Sequence, residues 1–105
     1  MFNFEKLDVW HQSIALANRV YILTKSFPTD ERFGLTNQLR RAVVSISSNM
    51  GRFVEIATGS TFEVVSQARV AREQGLLSAT EHDEAYRAVL EIVRMLSGLR
   101  RTLKD

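Results

Sequence analysis

The sequence predicts an all-α protein, an antiparallel up-down-up-down bundle of four helices. Three observations predict it. Apolar residues recur every three or four positions in four successive segments, the spacing that gathers them on one helix face. One proline, Pro28, and five glycines in 105 residues leave few breakers between those segments. Alternation of apolar and polar residues, which would mark a strand, competes nowhere. The length suits one domain over residues 1–105, large enough for a single core and too small for two.

The first helix is expected over about residues 8–26, with Val9, Trp10, Ser13, Ala17, Val20, Tyr21, Thr24 and Phe27 on its inner face. Pro28 ends it, because proline disfavours the α conformation in the residue before it. The second helix is expected over 30–49. Its start carries Asp30 and Glu31, which complement the positive end of the helix dipole. Leu35, Leu39, Ala42, Val43, Ile46 and Met50 share its stripe, and Gly34 is a point of interruption. The third is expected over 52–74, with Phe53, Ala57, Ser60, Val64, Ala68 and Ala71 as a narrow small-residue face. Gly75 is a C-terminal cap, and Ser78-Ala-Thr-Glu81 is a capping box for the fourth helix over 79–103. That helix places Ala85, Tyr86, Val89, Ile92, Val93, Leu96, Leu99 and Leu103 inward.

The join between the second and third helices stands out. Only Asn49 to Gly51 offers turn chemistry, where helix–helix connections usually take about 2–8 residues. One alternative is a single rod from Leu35 to Gly75, roughly 60 Å long at 1.5 Å per residue, which this chain could cover only by domain exchange or oligomerisation. The other is a bundle whose connecting loop has been lost.

An apolar fraction of 45% and a charged fraction of 25% are those of an ordinary globular protein. There are no cysteines, which excludes disulfides, thiolate metal sites and a thiol nucleophile. No apolar run approaches the roughly 20 residues of a membrane span. The N-terminal residues lack the basic-then-apolar order of a signal peptide, so a cytoplasmic protein is expected. The net charge is only +2, yet eleven of the fourteen cations are arginine, the residue whose fork matches phosphate and carboxylate.

With the helices placed, Phe4-Glu-Lys-Leu-Asp-Val-Trp10, then Tyr21 and Phe27-Pro28, make a recognisable opening. Glu31-Arg-Phe-Gly-Leu-Thr-Asn-Gln-Leu-Arg-Arg-Ala42 with Ser45, Ile46 and Asn49 follows. Ala57-Thr-Gly-Ser60 with Glu63, and Met95-Leu-Ser-Gly-Leu99, complete the pattern. Together they resemble the bacterial four-helix-bundle family encoded in intervening sequences of large-subunit (23S) ribosomal RNA genes, related to the accessory variability proteins of diversity-generating retroelements. The resemblance spans nearly the whole chain and is most specific in the second helix and at Ala57–Ser60. It implies an antiparallel bundle that assembles into a ring, often five-fold, with nucleic acid bound on a basic surface in the retroelement branch. One departure matters. The family pattern continues after the Asn-aliphatic pair with Ala-Glu-Gly and a polar loop. Here Met50 is followed directly by Gly51-Arg52-Phe53, so no role of that Glu or Gly carries over.

Several side chains are candidates for chemistry. Arg40 and Arg41 flank the second helix, about 140° and 240° from Leu35, and their forks suit phosphate oxygens. Pairing with a neighbouring helix's glutamate, or plain solvation, explains them as well. Arg87, Arg94 and Arg101 recur at seven-residue spacing on the fourth helix, with Arg100 beside them. They could track a phosphate backbone, but Glu84 and Glu91 stand three or four residues away and would pair with them along the helix. Val54, Phe62 and Val65 lie off the core face of the third helix and are candidates for an oligomer interface. Gln38, Ser45 and Asn49 line one edge of the second helix, as a register-fixing hydrogen-bond network or a wet helix edge. His11 and His82 lack a Glu-x-x-His partner, and Glu63 lacks a second carboxylate. Nucleophile–base pairs, phosphate-cradling glycine loops and metal spacings are absent. No catalytic residue, cofactor or metal is therefore expected, and the chain is not expected to be an enzyme.

The leading functional expectation is a homo-oligomer, pentameric by resemblance, that binds RNA or DNA through Arg40, Arg41, Arg94 and Arg101. The alternative is a protein–protein scaffold that recruits a partner enzyme such as a reverse transcriptase, with Ile22, Val44 and Leu90 as its exposed apolar contacts. Neither involves a membrane.

Overall fold

A computed structural model of the chain describes residues 6–50 and 54–104. Four helices make up the fold: α1 (Asp8–Thr24), α2 (Asn37–Asn49), α3 (Val54–Glu73) and α4 (Ala79–Lys104). Each packs on its sequence neighbour and α1 closes against α4, so α2 and α4 occupy diagonal corners of the bundle. The described residues fill a body of 45 × 23 × 19 Å.

The rod alternative is excluded by one hydrogen bond. Ser60 Oγ donates to Ser45 Oγ at 2.8 Å. Fifteen residues apart on a continuous helix, the two would be separated by about 22 Å. The chain therefore turns back between α2 and α3. Gly51, Arg52 and Phe53 lie outside the described residues, as do Phe4 and Glu5 of the opening motif.

The predicted caps are built as the sequence indicates. Ser78 N–H donates to Glu81 Oε1 (2.9 Å) while Glu81 N–H donates to Ser78 Oγ (3.0 Å), the reciprocal capping box of α4. Gly75 takes the left-handed conformation (φ 79°) that ends α3, with Leu76 N–H on the Ala71 carbonyl (2.8 Å) and Gly75 N–H on that of Arg72 (3.0 Å). The second helix differs from expectation at its start. Residues 29–36 form a short 3₁₀ turn and then a π-type turn with non-helical torsions at Gly34. Regular α-helix begins only at Asn37.

Val43, Ile46 and Met50 of α2 and Ile92 and Leu96 of α4 are fully buried, and Ala57, Ala68 and Ala71 of α3 let the helices close around them. Two expectations are corrected. Tyr21 and Tyr86 were expected inward but are about two-fifths exposed, and Leu16 and Leu23 fill α1's share of the core instead. Tyr21 packs against the Arg40 guanidinium and Tyr86 stacks on His82, contacts available to a ring at the helix flank. Trp10 and Leu35 are half-buried. Two buried hydroxyls of α1 bond within their own helix: Ser13 Oγ to the Val9 carbonyl and Thr24 Oγ1 to that of Val20, both at 2.8 Å. A space of about 10 Å³ lies among Val20, Phe27, Leu39 and Val64, too small to hold more than a single water.

Candidate nucleic-acid interface

The four candidate arginines fall into two groups that the fold keeps apart. Arg40 and Arg41 sit on α2, whereas Arg94 and Arg101 point outward from α4 at the diagonal corner. One protomer does not bring them into a single patch.

Within each group the two arginines differ. Arg40 is half-buried against α1: its Nε donates to Thr24 Oγ1 at 2.9 Å and one terminal nitrogen reaches the Tyr21 carbonyl at 3.5 Å. Its guanidinium lies 4.6 Å from the centre of the Tyr21 ring, a cation–π arrangement. Arg40 thus ties α2 to α1. Arg41, the next residue, turns to solvent and has no ion pair or side-chain hydrogen bond among the described residues. On α4, Arg94 is held by Glu91 one turn earlier through two hydrogen bonds. Those bonds hold the Glu91 carboxyl below its ordinary range and raise the Arg94 guanidinium above its own. Arg101 and Arg87 are exposed and unpaired among the described residues, and Arg100 reaches Glu55 of α3 at 3.7 Å.

Among the described residues, grooves run between α1 and α2, α2 and α3, and α1 and α4. The first, about 540 Å³ between α1 and α2, is lined by Tyr21, Asn37, Arg40, Arg41, Val44, Ser45, Ser48 and Asn49. The second, about 430 Å³, lies between α2 and α3 and holds Gln38, Arg41, Ser45, Ser60, Glu63 and Gln67. The third, about 240 Å³, lies between α1 and α4, where Arg19 pairs with Glu84 at 3.3 Å. Of the three, the α1/α2 groove alone holds arginine without a carboxylate. Its sequence cause is plain: α2 contains no Asp or Glu from Asn37 to Asn49.

The polar edge of α2 is a hydrogen-bonded chain. Asn49 Nδ2 donates to the Ser45 carbonyl (2.9 Å) and to Ser45 Oγ (3.0 Å), and Ser60 donates to the same Oγ from α3. Gln38 lines the neighbouring groove.

The three candidate interface residues are also separated. Val54 is buried at 7% exposure and Val65 is half-buried against the core. Phe62 is exposed at 60%, with Ile56 and Val70 of the same helix also open. His82 is buried and stacks on Tyr86 with ring centres 6.1 Å apart. Among the described residues no group of three or more His, Asp or Glu side chains is placed to hold a metal. Among the described residues no helix is long and apolar enough to cross a membrane.

Tyr21 and Asn37 are the groove residues that sequence reasoning missed as surface groups. The absence of acid along α2 was the available signal, but which α1 side chain would lie beside Arg40 depends on helix register.

The fold and surface define a small helical-bundle protein that presents arginines outward. Residues 5–98 match the family described as 23S rRNA-intervening sequence protein, and the chain belongs to that family. No curated protein is matched by the sequence.

Proposed function

We propose that this chain is a non-enzymatic cytoplasmic protein that self-associates and binds RNA or DNA. The observation that carries the nucleic-acid reading is that several outward arginines, Arg41, Arg87 and Arg101 among them, lack a partner among the described residues. Each is a modest contact. In a closed homo-oligomer, five-fold by family resemblance, every such charge is repeated, and multivalency turns weak phosphate contacts into useful affinity. Arg94 contributes once nucleic acid competes for it with Glu91, and Arg40 contributes through the groove it lines.

Self-association is supported by α3. Ile56, Phe62 and Val70 are all about half exposed or more, and Gly59 leaves open space where a Cβ would stand. A mid-helix glycine costs about 1 kcal/mol relative to alanine, which close approach by a second helix would offset.

The test is size-exclusion chromatography with light scattering, at low and high salt, with and without a generic RNA. An oligomer that co-elutes with RNA only at low salt is expected. A monomer would remove the α3 argument. An oligomer indifferent to RNA would favour the scaffold reading, which the exposure of Ile22, Val44 and Leu90 supports.

A further inference from the structure

We infer that the groove between α1 and α2 is the place where a single-stranded segment of nucleic acid is held, with Arg41 on a phosphate and the adjoining base against Val44 and Tyr21. This rests on the nucleic-acid reading above and makes it local.

The charge is the first argument. The groove contains two arginines and no carboxylate, in a chain whose net charge is only +2. The α2/α3 groove shares Arg41 but also holds Glu63, and the buried Gln67 Oε1 there has no partner among the described residues. An unpartnered acceptor beside a carboxylate attracts donors and cations, so an anion is directed to the α1/α2 side. In the α1/α4 groove Arg19 is already taken by Glu84.

Preorganisation is the second argument. Arg40 is fixed by Thr24 and by the Tyr21 ring, so its charge is in place before any ligand arrives. Its other terminal nitrogen has no partner among the described residues. Beside it the Arg41 fork is wholly available, and a guanidinium can donate two parallel hydrogen bonds to one phosphate.

The third argument concerns the base. Val44 is 40% exposed and Tyr21 41% exposed within the same groove, an apolar floor next to the cations. Asn49 uses its Nδ2 on Ser45, and Ser48 Oγ donates to the Val44 carbonyl at 2.7 Å. The Asn49 carbonyl and the Ser48 lone pairs are therefore left to accept from a base edge. Bases reach such a surface only when unstacked, which selects single strands over duplex.

The experiment is fluorescence anisotropy of a short fluorescein-labelled oligouridylate on the full chain at low salt. Arg41→Gln is expected to weaken binding about tenfold or more, the loss of one charge-assisted contact. Arg72→Gln, the same charge change at an exposed α3 position, is expected to leave it near wild type. Val44→Asp, which puts a carboxylate into the groove, is expected to be worse than Arg41→Gln. Circular dichroism melts check that each variant is folded. If Arg41→Gln and Arg72→Gln behave alike while wild type binds, the groove is wrong and the general reading survives. If wild type does not bind, both fall. Equal or tighter binding of duplex RNA, or displacement by inorganic phosphate as effective per phosphate as by unlabelled oligonucleotide, would overturn the single-strand assignment.

Discussion

Helices α2 and α4 stand at opposite corners of the bundle, each with arginines on its outer side, and they handle that charge differently. On α4, Glu91 lies one turn from Arg94 and neutralises it along the helix. No acid lies on α2, so Arg40 finds its partners on another helix and Arg41 finds none. Arginine periodicity in a sequence thus measures charge present, not charge available. Availability depends on which carboxylate a guanidinium reaches: Arg87 has Glu84 and Glu91 at helical spacing and pairs with neither among the described residues, because Glu91 holds Arg94.

The comparison can be broken first on the inner faces, where the two helices are alike. Ile46→Ala and Ile92→Ala each remove a fully buried side chain and are expected to cost about 2–5 kcal/mol in urea denaturation. A large disparity would mean that one corner is not packed as described. The outer faces should then separate. Arg41→Ala is expected to lower the salt slope of oligonucleotide binding by about one ion, whereas Arg94→Ala lowers it less. Arg40→Ala should destabilise the fold by about 1–2 kcal/mol through loss of the Thr24 bond and the Tyr21 contact. Arg40→Lys should not restore this fully, since lysine lacks the planar fork. Ser60→Ala removes the hydroxyl bridge to Ser45 and is expected to cost about 1 kcal/mol.

The smallest effect is a pH dependence. The folded Glu91 carboxyl titrates below its unfolded value, first because of the Arg94 hydrogen bond. Its contribution is therefore full above the ordinary carboxylate range and is lost as pH falls through the depressed value. Arg94 is largely and Glu91 partly exposed, so the difference in melting midpoint between wild type and Arg94→Ala should be slight near neutrality. It should vanish in acid. A difference that grows on acidification would contradict the pairing.

Much of the bundle was legible because it is written in local signals. The capping box at Ser78–Glu81, the Gly75 stop and the small-residue face of α3 each depend on residues a few positions apart. The start of α2 was not. Acidic residues 30–31 and the downstream stripe read as one helix, while the chain makes two irregular turns before Asn37. The tyrosines were misplaced because a helical wheel cannot separate a flank from a core position when the side chain is amphipathic. Ser45 and Asn49 were readable as a polar edge, but their link to Ser60 depends on how α2 and α3 are aligned. The same holds for Arg40 and Tyr21, whose meeting is a property of register.

The self-bonded hydroxyls of the interior have a mechanical consequence. Ser13 and Thr24 bond back into their own helices, so most buried polar groups do not resist sliding of one helix along another. Among the described residues, Arg40 to Thr24 pins α2 to α1, and Ser60 to Ser45 pins α3 to α2. The helix at the opposite corner is joined to its neighbours by exposed ion pairs, Arg19–Glu84 and Glu55–Arg100, and by apolar contact that tolerates slippage. Amide hydrogen exchange should therefore show α4 peeling away at lower free energy than α2. The pinned helix would be the clasp of the domain, with the last helix as its loose strap.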